Sequence, residues 1–317
     1  MPSSPSNVSP ADRPAPAATA SPPAAQRSAP SVGDILRDYV ELTKPEISFL
    51  VTVSALAGFL LGSPQTLDGW ALLATLTGVV LCAGGVGVLN HVFEMHIDAQ
   101  MKRTADRPLP DGRVNPDSAR YFGIGLICTS VGLLCPLVNA LTAVLAALTA
   151  VLYLFVYTPL KQKTRWNTVI GTVPGALPAL GGYTAATGDV GAAGWALFAV
   201  LAFWQMPHFY SLAWMYRKDY ARGNYAMLPV LEPNGTSTAV QMIVFTVLLI
   251  GASVLPTAFG VSGGIYAGGV VPLGLWFLWT TIRFYSTRTG QRARHVLKAS
   301  IYYIPALVVL LGIDWMV

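Results

Sequence analysis

The stretch that decides the reading of this chain runs Trp70-Ala-Leu-Leu-Ala-Thr-Leu-Thr-Gly-Val-Val-Leu-Cys-Ala-Gly-Gly-Val-Gly-Val-Leu89, then Asn90-His-Val-Phe-Glu94-Met-His-Ile-Asp98, then Met101-Lys-Arg-Thr-Ala-Asp-Arg-Pro108. Its first part is apolar over the length that crosses a bilayer, about 20 residues at 1.5 Å each. Asn90, Glu94 and Asp98 then recur every four positions. In a helix such a step rises about 6 Å and turns only about 40°, so the amide and the two carboxylates share one stripe. A carboxylate in hydrocarbon costs roughly 2.5–3.5 kcal/mol even on insertion scales, which directs the stripe toward water or a ligand. Lys102, Arg103 and Arg107 follow at once. A solvated helix end could carry the same mixture, but acid and base packed beside a bilayer point rather to a metal-bound polyanion.

The chain has 317 residues, 53% hydrophobic and 11% charged, with mean hydropathy +0.53, which is the composition of a polytopic membrane protein. Long apolar runs without period-two alternation exclude a transmembrane barrel and leave an all-α architecture. Cys82, Cys128 and Cys135 fall in or beside apolar spans and read as small packing residues, not as a disulfide or metal framework. Residues 1–30 are mostly Ala, Pro and Ser and read as a disordered tail without a signal peptide, leaving 31–317 as the membrane domain. A mitochondrial presequence would be more basic and amphipathic, so the expected home is a bacterial plasma (inner) membrane. Asp34-Ile-Leu-Arg-Asp-Tyr-Val40 reads as a short amphipathic helix on the membrane surface.

Nine membrane-length segments can be placed, at 47–62, 69–90, 120–137, 139–158, 168–187, 192–213, 237–259, 265–283 and 299–317. All 20 Lys and Arg residues then fall before the first span or around the loops after the second, fourth, sixth and eighth spans. That asymmetry orients the chain with its N-terminus cytoplasmic and its C-terminus on the other side, and puts every polar cluster at the cytoplasmic face. The basic residues from Arg283 to Lys298 read as an anchor for anionic lipid. No phosphate-loop, dinucleotide or nucleic-acid motif is present.

Two hard oxygen ligands spaced like Glu94 and Asp98 suit Mg²⁺, which takes one or two carboxylates and completes its sphere with water and substrate phosphates. Lys102, Arg103 and Arg107 would neutralise diphosphate oxygens, the arginines by bidentate contact. A second cluster, Pro207-His208-Phe209 and then Arg217-Lys218-Asp219-Tyr220, follows the sixth span. Asp219 is the candidate for a further metal ligand in the same layer, and Pro207 is expected to interrupt or kink its helix. His208 fits a buried structural histidine equally well. From the residues alone the chain reads as a membrane-embedded, Mg²⁺-dependent site for an anionic amphiphile whose acceptor is unnamed.

An ordered series of motifs then carries a resemblance. Asn90, Glu94 and Asp98 match the N-x-x-x-[DE]-x-x-x-D motif of the UbiA-type membrane prenyltransferase superfamily. Asp98 through Pro110, Tyr157-Thr-Pro-Leu-Lys161, Asn167 through Gly171, Pro207-His208-Phe209, and Asp219-Tyr220 through Val230 are similar to its haem branch, the protohaem IX farnesyltransferases (haem O synthases). The likeness spans about residues 35–317. Departures are Met95 and His96, where the family often has Arg and Asp, and Tyr210, where it commonly has Trp.

The resemblance implies nine transmembrane helices around a central cavity. It also implies transfer of a farnesyl group from farnesyl diphosphate to a vinyl group of haem B, with hydration, giving haem O for respiratory oxidases. It makes Asn90, Glu94, Asp98 and Asp219 catalytic, with Glu94, Asp98 and Asp219 on Mg²⁺. Lys102, Arg103, Arg107, Lys161 and Lys218 would bind the diphosphate, and His208, Tyr157 and Asn167 would position haem. The partners it implies are farnesyl diphosphate, haem B and membrane lipid, and downstream a haem A synthase or oxidase assembly proteins. Open beside it stand a prenyltransferase for a quinone or other aromatic acceptor, a membrane transporter, and a non-enzymatic assembly factor for an oxidase.

Overall fold

The computed structural model describes residues 31–63 and 66–317, and over these residues every regular element is helical. The expected disordered tail, 1–30, lies outside the described residues. α1 covers Val32–Leu42, α2 Pro45–Gly62, α3 Gly69–Asp98 and α4 Pro116–Leu137. α5, Ala140–Val151, runs through a π-helical segment, Leu152–Tyr157, into the single turn α6, Thr158–Leu160. Then come α7 Asn167–Thr187, α8 Ala192–Met215, α9 Arg217–Arg222, α10 Leu228–Leu231, α11 Thr236–Ala258, α12 Gly264–Thr287 and α13 Gly290–Met316.

Eight of these rods are long and apolar enough to cross a bilayer: α2, α3, α4, α5 through α6, α8, α11, α12 and α13. The chain is therefore a multi-pass membrane protein. The remaining expected span forms a helix of 21 residues, α7, which is not among the eight. Its glycines, prolines and threonines make it less apolar, and most of its residues are buried, with α2, α5 and α8 packed around it. A helix sheltered from lipid along most of its surface does not need a lipophilic composition. Boundaries also moved. α3 continues past Asn90 to Asp98, and α13 begins before its hydrocarbon-spanning part, at Gly290. The expected interruption at Pro207 is absent: α8 runs through it unbroken, as membrane helices tolerate when neighbours shield the freed backbone groups.

Small residues set a close helix contact. Ala55, Gly58 and Gly62 of α2 face Ala179, Gly182 and Ala186 of α7, the small-xxx-small pattern that lets two membrane helices touch backbone to backbone. A Cβ added at Gly182 would fall 1.9 Å from the Ala55 carbonyl oxygen, and one at Gly58 would fall 2.0 Å from that of Ala179. Elsewhere the core is large and aromatic, with Tyr210, Phe277, Phe284 and Tyr303 buried among α8, α11, α12 and α13. Cys82 is buried while Cys128 and Cys135 are exposed, and all three are free thiols.

α1 opens with a Ser31–Asp34 capping box. Val32, Ile35, Leu36 and Val40 are exposed, whereas Asp38 turns inward and pairs with Arg113. Its apolar face is thus directed away from the protein.

Because the α2–α7 contact has no room for a methyl group, Gly182→Val should lower the melting temperature of detergent-solubilised protein by the equivalent of about 1–3 kcal/mol or more. Gly181→Ala, where an added Cβ meets nothing within 4 Å, should leave it equal or higher. Equal melting temperatures for the wild type and Gly182→Val would refute the contact.

Candidate active site

Asn90, Glu94 and Asp98 lie on the last turns of α3, only 1%, 5% and 2% exposed, and all three line one cavity of about 210 Å³. Lys44, Arg103, Arg107 and Lys161 line it too, so four cations face two carboxylates. Lys161 Nζ donates to Glu94 Oε1 at 2.8 Å, and Arg107 Nη1 donates to Asp98 Oδ2 at 2.8 Å. Lys44 Nζ donates to the Asn90 side-chain oxygen, whose amide nitrogen reaches Thr158 Oγ1 at 3.3 Å. Buried carboxylates left unpaired would be strongly destabilising, so these cations are a structural necessity as well as a chemical resource.

Short loops bring the cations in. Thr104 is fully buried and donates to the Asp98 carbonyl oxygen at 2.8 Å, folding the segment after α3 back so that Arg107 meets Asp98. Arg113 braces that segment from outside by donating to Asp38, to Asp111 and to the Asp106 carbonyl. Asn167, at the start of α7, donates to the carbonyl oxygens of Thr164 at 2.6 Å and Ala226 at 3.0 Å. The Ala226 amide donates to the Lys161 carbonyl at 2.9 Å, tying the Lys161 loop to the segment that carries Tyr225 and Met227 into the cavity.

The lysines differ in electrostatics. Burial acts to depress Lys161, but Glu94, then Tyr153 and Tyr157, outweigh it and hold the ammonium well above its ordinary range. The Lys161 ammonium sits 4.9 Å from the Tyr157 ring centroid and 5.7 Å from that of Tyr153. Lys44 has no carboxylate of its own: burial, then Arg107 and Lys161, bring it down to about 7. Tyr225 is pushed up by burial and then by the Glu94 charge.

Expected site residues separate into those that line the cavity and those that do not. Asn90, Glu94, Asp98, Arg103, Arg107, Tyr157 and Lys161 all line the cavity. Asp219 and Lys218 instead line a separate depression with Met215, Tyr216, Arg217 and Arg222, and Asp219 accepts from Arg222 Nη1 at 2.7 Å. α8 and α9 meet at Tyr216, and Tyr220 of this same run lines the cavity with Glu94. Lys102 is exposed, and Asn167 is a fully buried brace. His208 is half-buried between α8 and α13, while its neighbours Phe209 and Leu212 line the cavity. Sequence reasoning missed Lys44, Tyr153 and Tyr225. Only Tyr153 carried a usable signal, four residues before Tyr157 and eight before Lys161.

The donors suit a hard dication. Among the described residues no three His, Cys, Asp or Glu gather into a closed metal cage. Two buried carboxylates one turn apart, facing a cavity with room for water and an anion, match the Mg²⁺ mode of one or two protein carboxylates plus phosphate oxygens. His91 Nδ1, buried without a partner and 3.8 Å from Asp98 Oδ2, leaves a further polar atom beside that pair.

Comparison with known proteins agrees with this geometry. The profile of the UbiA prenyltransferase family matches residues 51–304. The protoheme IX farnesyltransferase of Salinibacter ruber is 70% identical over 281 residues, covering 89% of this chain and 99% of that one. The enzyme of the same name from Solibacter usitatus is 43% identical, covering 88% and 99%. Among solved structures, a digeranylgeranylglyceryl phosphate synthase aligns with TM-score 0.73 at 18% identity, over 89% of this chain and 98% of the other. A UbiA homolog from Archaeoglobus fulgidus bound to DMAPP and Mg²⁺ aligns with TM-score 0.61 at 16% identity, covering 87% and 99%. At such identities the structures speak for the fold, and the sequences speak for the family. The chain belongs to the UbiA prenyltransferase family, within its protohaem IX farnesyltransferase branch.

Proposed function

We propose that this protein transfers the farnesyl group of farnesyl diphosphate to a vinyl group of haem B, with addition of water, giving haem O. The observation that carries the chemistry is the pair of buried carboxylates, Glu94 and Asp98, facing four cations in one cavity. The acceptor follows from relatives as similar as 70% over nearly their full length.

In this reading Glu94 and Asp98 would hold Mg²⁺, which would supply Lewis-acid stabilisation of the leaving diphosphate. Arg103, Arg107, Lys161 and Lys44 neutralise the diphosphate oxygens the metal does not reach. A polyanion arriving beside Lys44 would favour its ammonium form. As the C1–O bond breaks, the allylic carbon becomes cationic, and the faces of Tyr153 and Tyr157 offer it electron density. The vinyl carbon attacks C1, forming a carbon–carbon bond and a cation next to the porphyrin ring. Water adds to that cation and releases a proton, so no protein nucleophile is consumed. Burial of the site protects the first cation from premature hydrolysis. The charge distribution supports nine spans, α7 included, in a plasma (inner) membrane, with the N-terminus and the cavity mouth cytoplasmic. The exposed apolar row of α1 then lies against the cytoplasmic leaflet.

Purified protein in lipid nanodiscs, given haem B, farnesyl diphosphate and Mg²⁺, should form haem O identifiable by mass. EDTA should stop turnover and added Mg²⁺ should restore it. No product with haem B, but prenylation of an aromatic quinone precursor, would overturn the acceptor. Asp98→Asn should reduce turnover by at least about a hundredfold, the scale of losing one electrostatic stabiliser, in protein that still inserts and folds. Lys161→Met should both inactivate and destabilise by about 3–5 kcal/mol, because Glu94 is left unpaired in a buried site. The double variant Lys161→Met/Glu94→Gln should regain the melting temperature without regaining activity. Recovery of both would show the pair to be purely structural.

A further inference from the structure

Outside the cavity wall, one polar cluster interrupts the apolar seam between α8 and α13. His208 Nδ1 lies 2.8 Å from Ser300 Oγ, and Ser300 Oγ lies 2.6 Å from the Leu297 carbonyl oxygen. Two oxygens that close need a proton between them, and a carbonyl carries none. The Ser300 proton is therefore committed to Leu297, and Ser300 can only accept from His208. Nδ1 must then carry the imidazole proton, which leaves Nε2 with a free lone pair. Ser300 is itself held in place, since Trp204 Nε1 donates to its carbonyl oxygen at 2.8 Å. The Trp204 ring stacks on the imidazole at 5.0 Å between centroids, with an interplanar angle of 26°. Among the described residues nothing hydrogen-bonds to His208 Nε2.

We infer that Ser300 locks His208 in the tautomer with Nε2 unprotonated, so that His208 is an axial ligand for the iron of the haem acceptor and Ser300 is its positioning residue. The inference rests on the proposed haem substrate and goes beyond it. A neutral imidazole with its only proton engaged has no hydrogen to give a propionate, and its lone pair repels a diphosphate. A Lewis-acidic iron is the part of this substrate that it fits. Metal-bound histidines commonly have their other ring nitrogen engaged as a donor in this way, which fixes ring orientation and raises ligand basicity. Position agrees. His208 lies one turn, about 6 Å along α8, from Leu212 in the cavity wall, so a ring system bound at His208 can extend an edge toward the reacting carbon.

Resonance Raman and optical spectra of haem B bound to the nanodisc protein read this directly. The ferrous wild-type complex should show an iron–histidine stretch. His208→Ala should lose it, and His208→Gly should regain it on addition of imidazole, shifting with ¹⁵N-imidazole. Ser300→Ala should lower the stretching frequency and weaken haem affinity by about tenfold, the lower end of the effect of removing a supporting partner of a metal ligand. Ser300→Thr, which keeps the hydroxyl, should restore both. Haem bound with the same spectrum in wild type and His208→Ala would overturn the ligation while leaving the farnesyl-transfer reading intact. Unchanged frequency and affinity in Ser300→Ala would overturn the role of Ser300. Failure of the wild type to bind haem B would remove the ligation and the proposed acceptor together.

Discussion

Two carboxylates held beneath an apolar bundle are tolerable only because cations reach them, and this constraint organises one end of the molecule. Glu94 and Asp98 are each almost wholly buried, and each is met by one charge at 2.8 Å, Lys161 and Arg107. Neither cation comes from α3. Arg107 depends on the folded segment after α3, pinned by Thr104 and braced by Arg113. Lys161 depends on the loop clamped by Asn167 and the Ala226 amide. Such pairs do little for net stability against an apolar core, but breaking one is expensive. Their presence in a membrane protein marks a place where the charges serve a ligand.

The scaffold around that charge cluster is shaped by backbone irregularity as much as by side chains. Just before Lys161 the rod containing α5 widens into the π-helical segment Leu152–Tyr157, a feature that tends to occur at functional sites. Thr158 supports the widened turn by donating its hydroxyl to the Tyr153 carbonyl at 2.9 Å. Tyr153, Tyr157 and Lys161 all emerge into the cavity from this stretch. On the other side α7 is drawn against α2 by paired small residues, so a helix of modest apolarity is stable because its neighbours replace lipid around it.

Legibility of the site in the sequence depended on whether its geometry was local. Asn90, Glu94 and Asp98 could be placed on one stripe because helical periodicity alone puts them there. Arg107 and Lys161 were identifiable as cations near the right face, but their carboxylate partners are 9 and 67 residues away along the chain. Asp219 sits in an acidic–basic run much like that after α3, yet it lines a different depression with Lys218, while the next residue, Tyr220, lines the cavity. Lys44 gave no signal at all. It caps α2 with a left-handed backbone, φ 51°, and is inserted from a segment that reads simply as the approach to a span.

By itself the sequence determined the membrane character, the long helices, and the acidic stripe of α3. Each of these follows from composition or from a period of a few residues, and hydrocarbon enforces such rules strictly because unpaired backbone cannot remain in it. Only the tertiary structure decided which cation meets which carboxylate, that Lys44, Tyr153 and Tyr225 share the cavity, and that Ser300 meets His208 Nδ1. Those outcomes depend on loops and helix seams that join residues distant in the chain, where the energy of one hydrogen bond or one missing methyl group selects the neighbour and no local pattern records the choice.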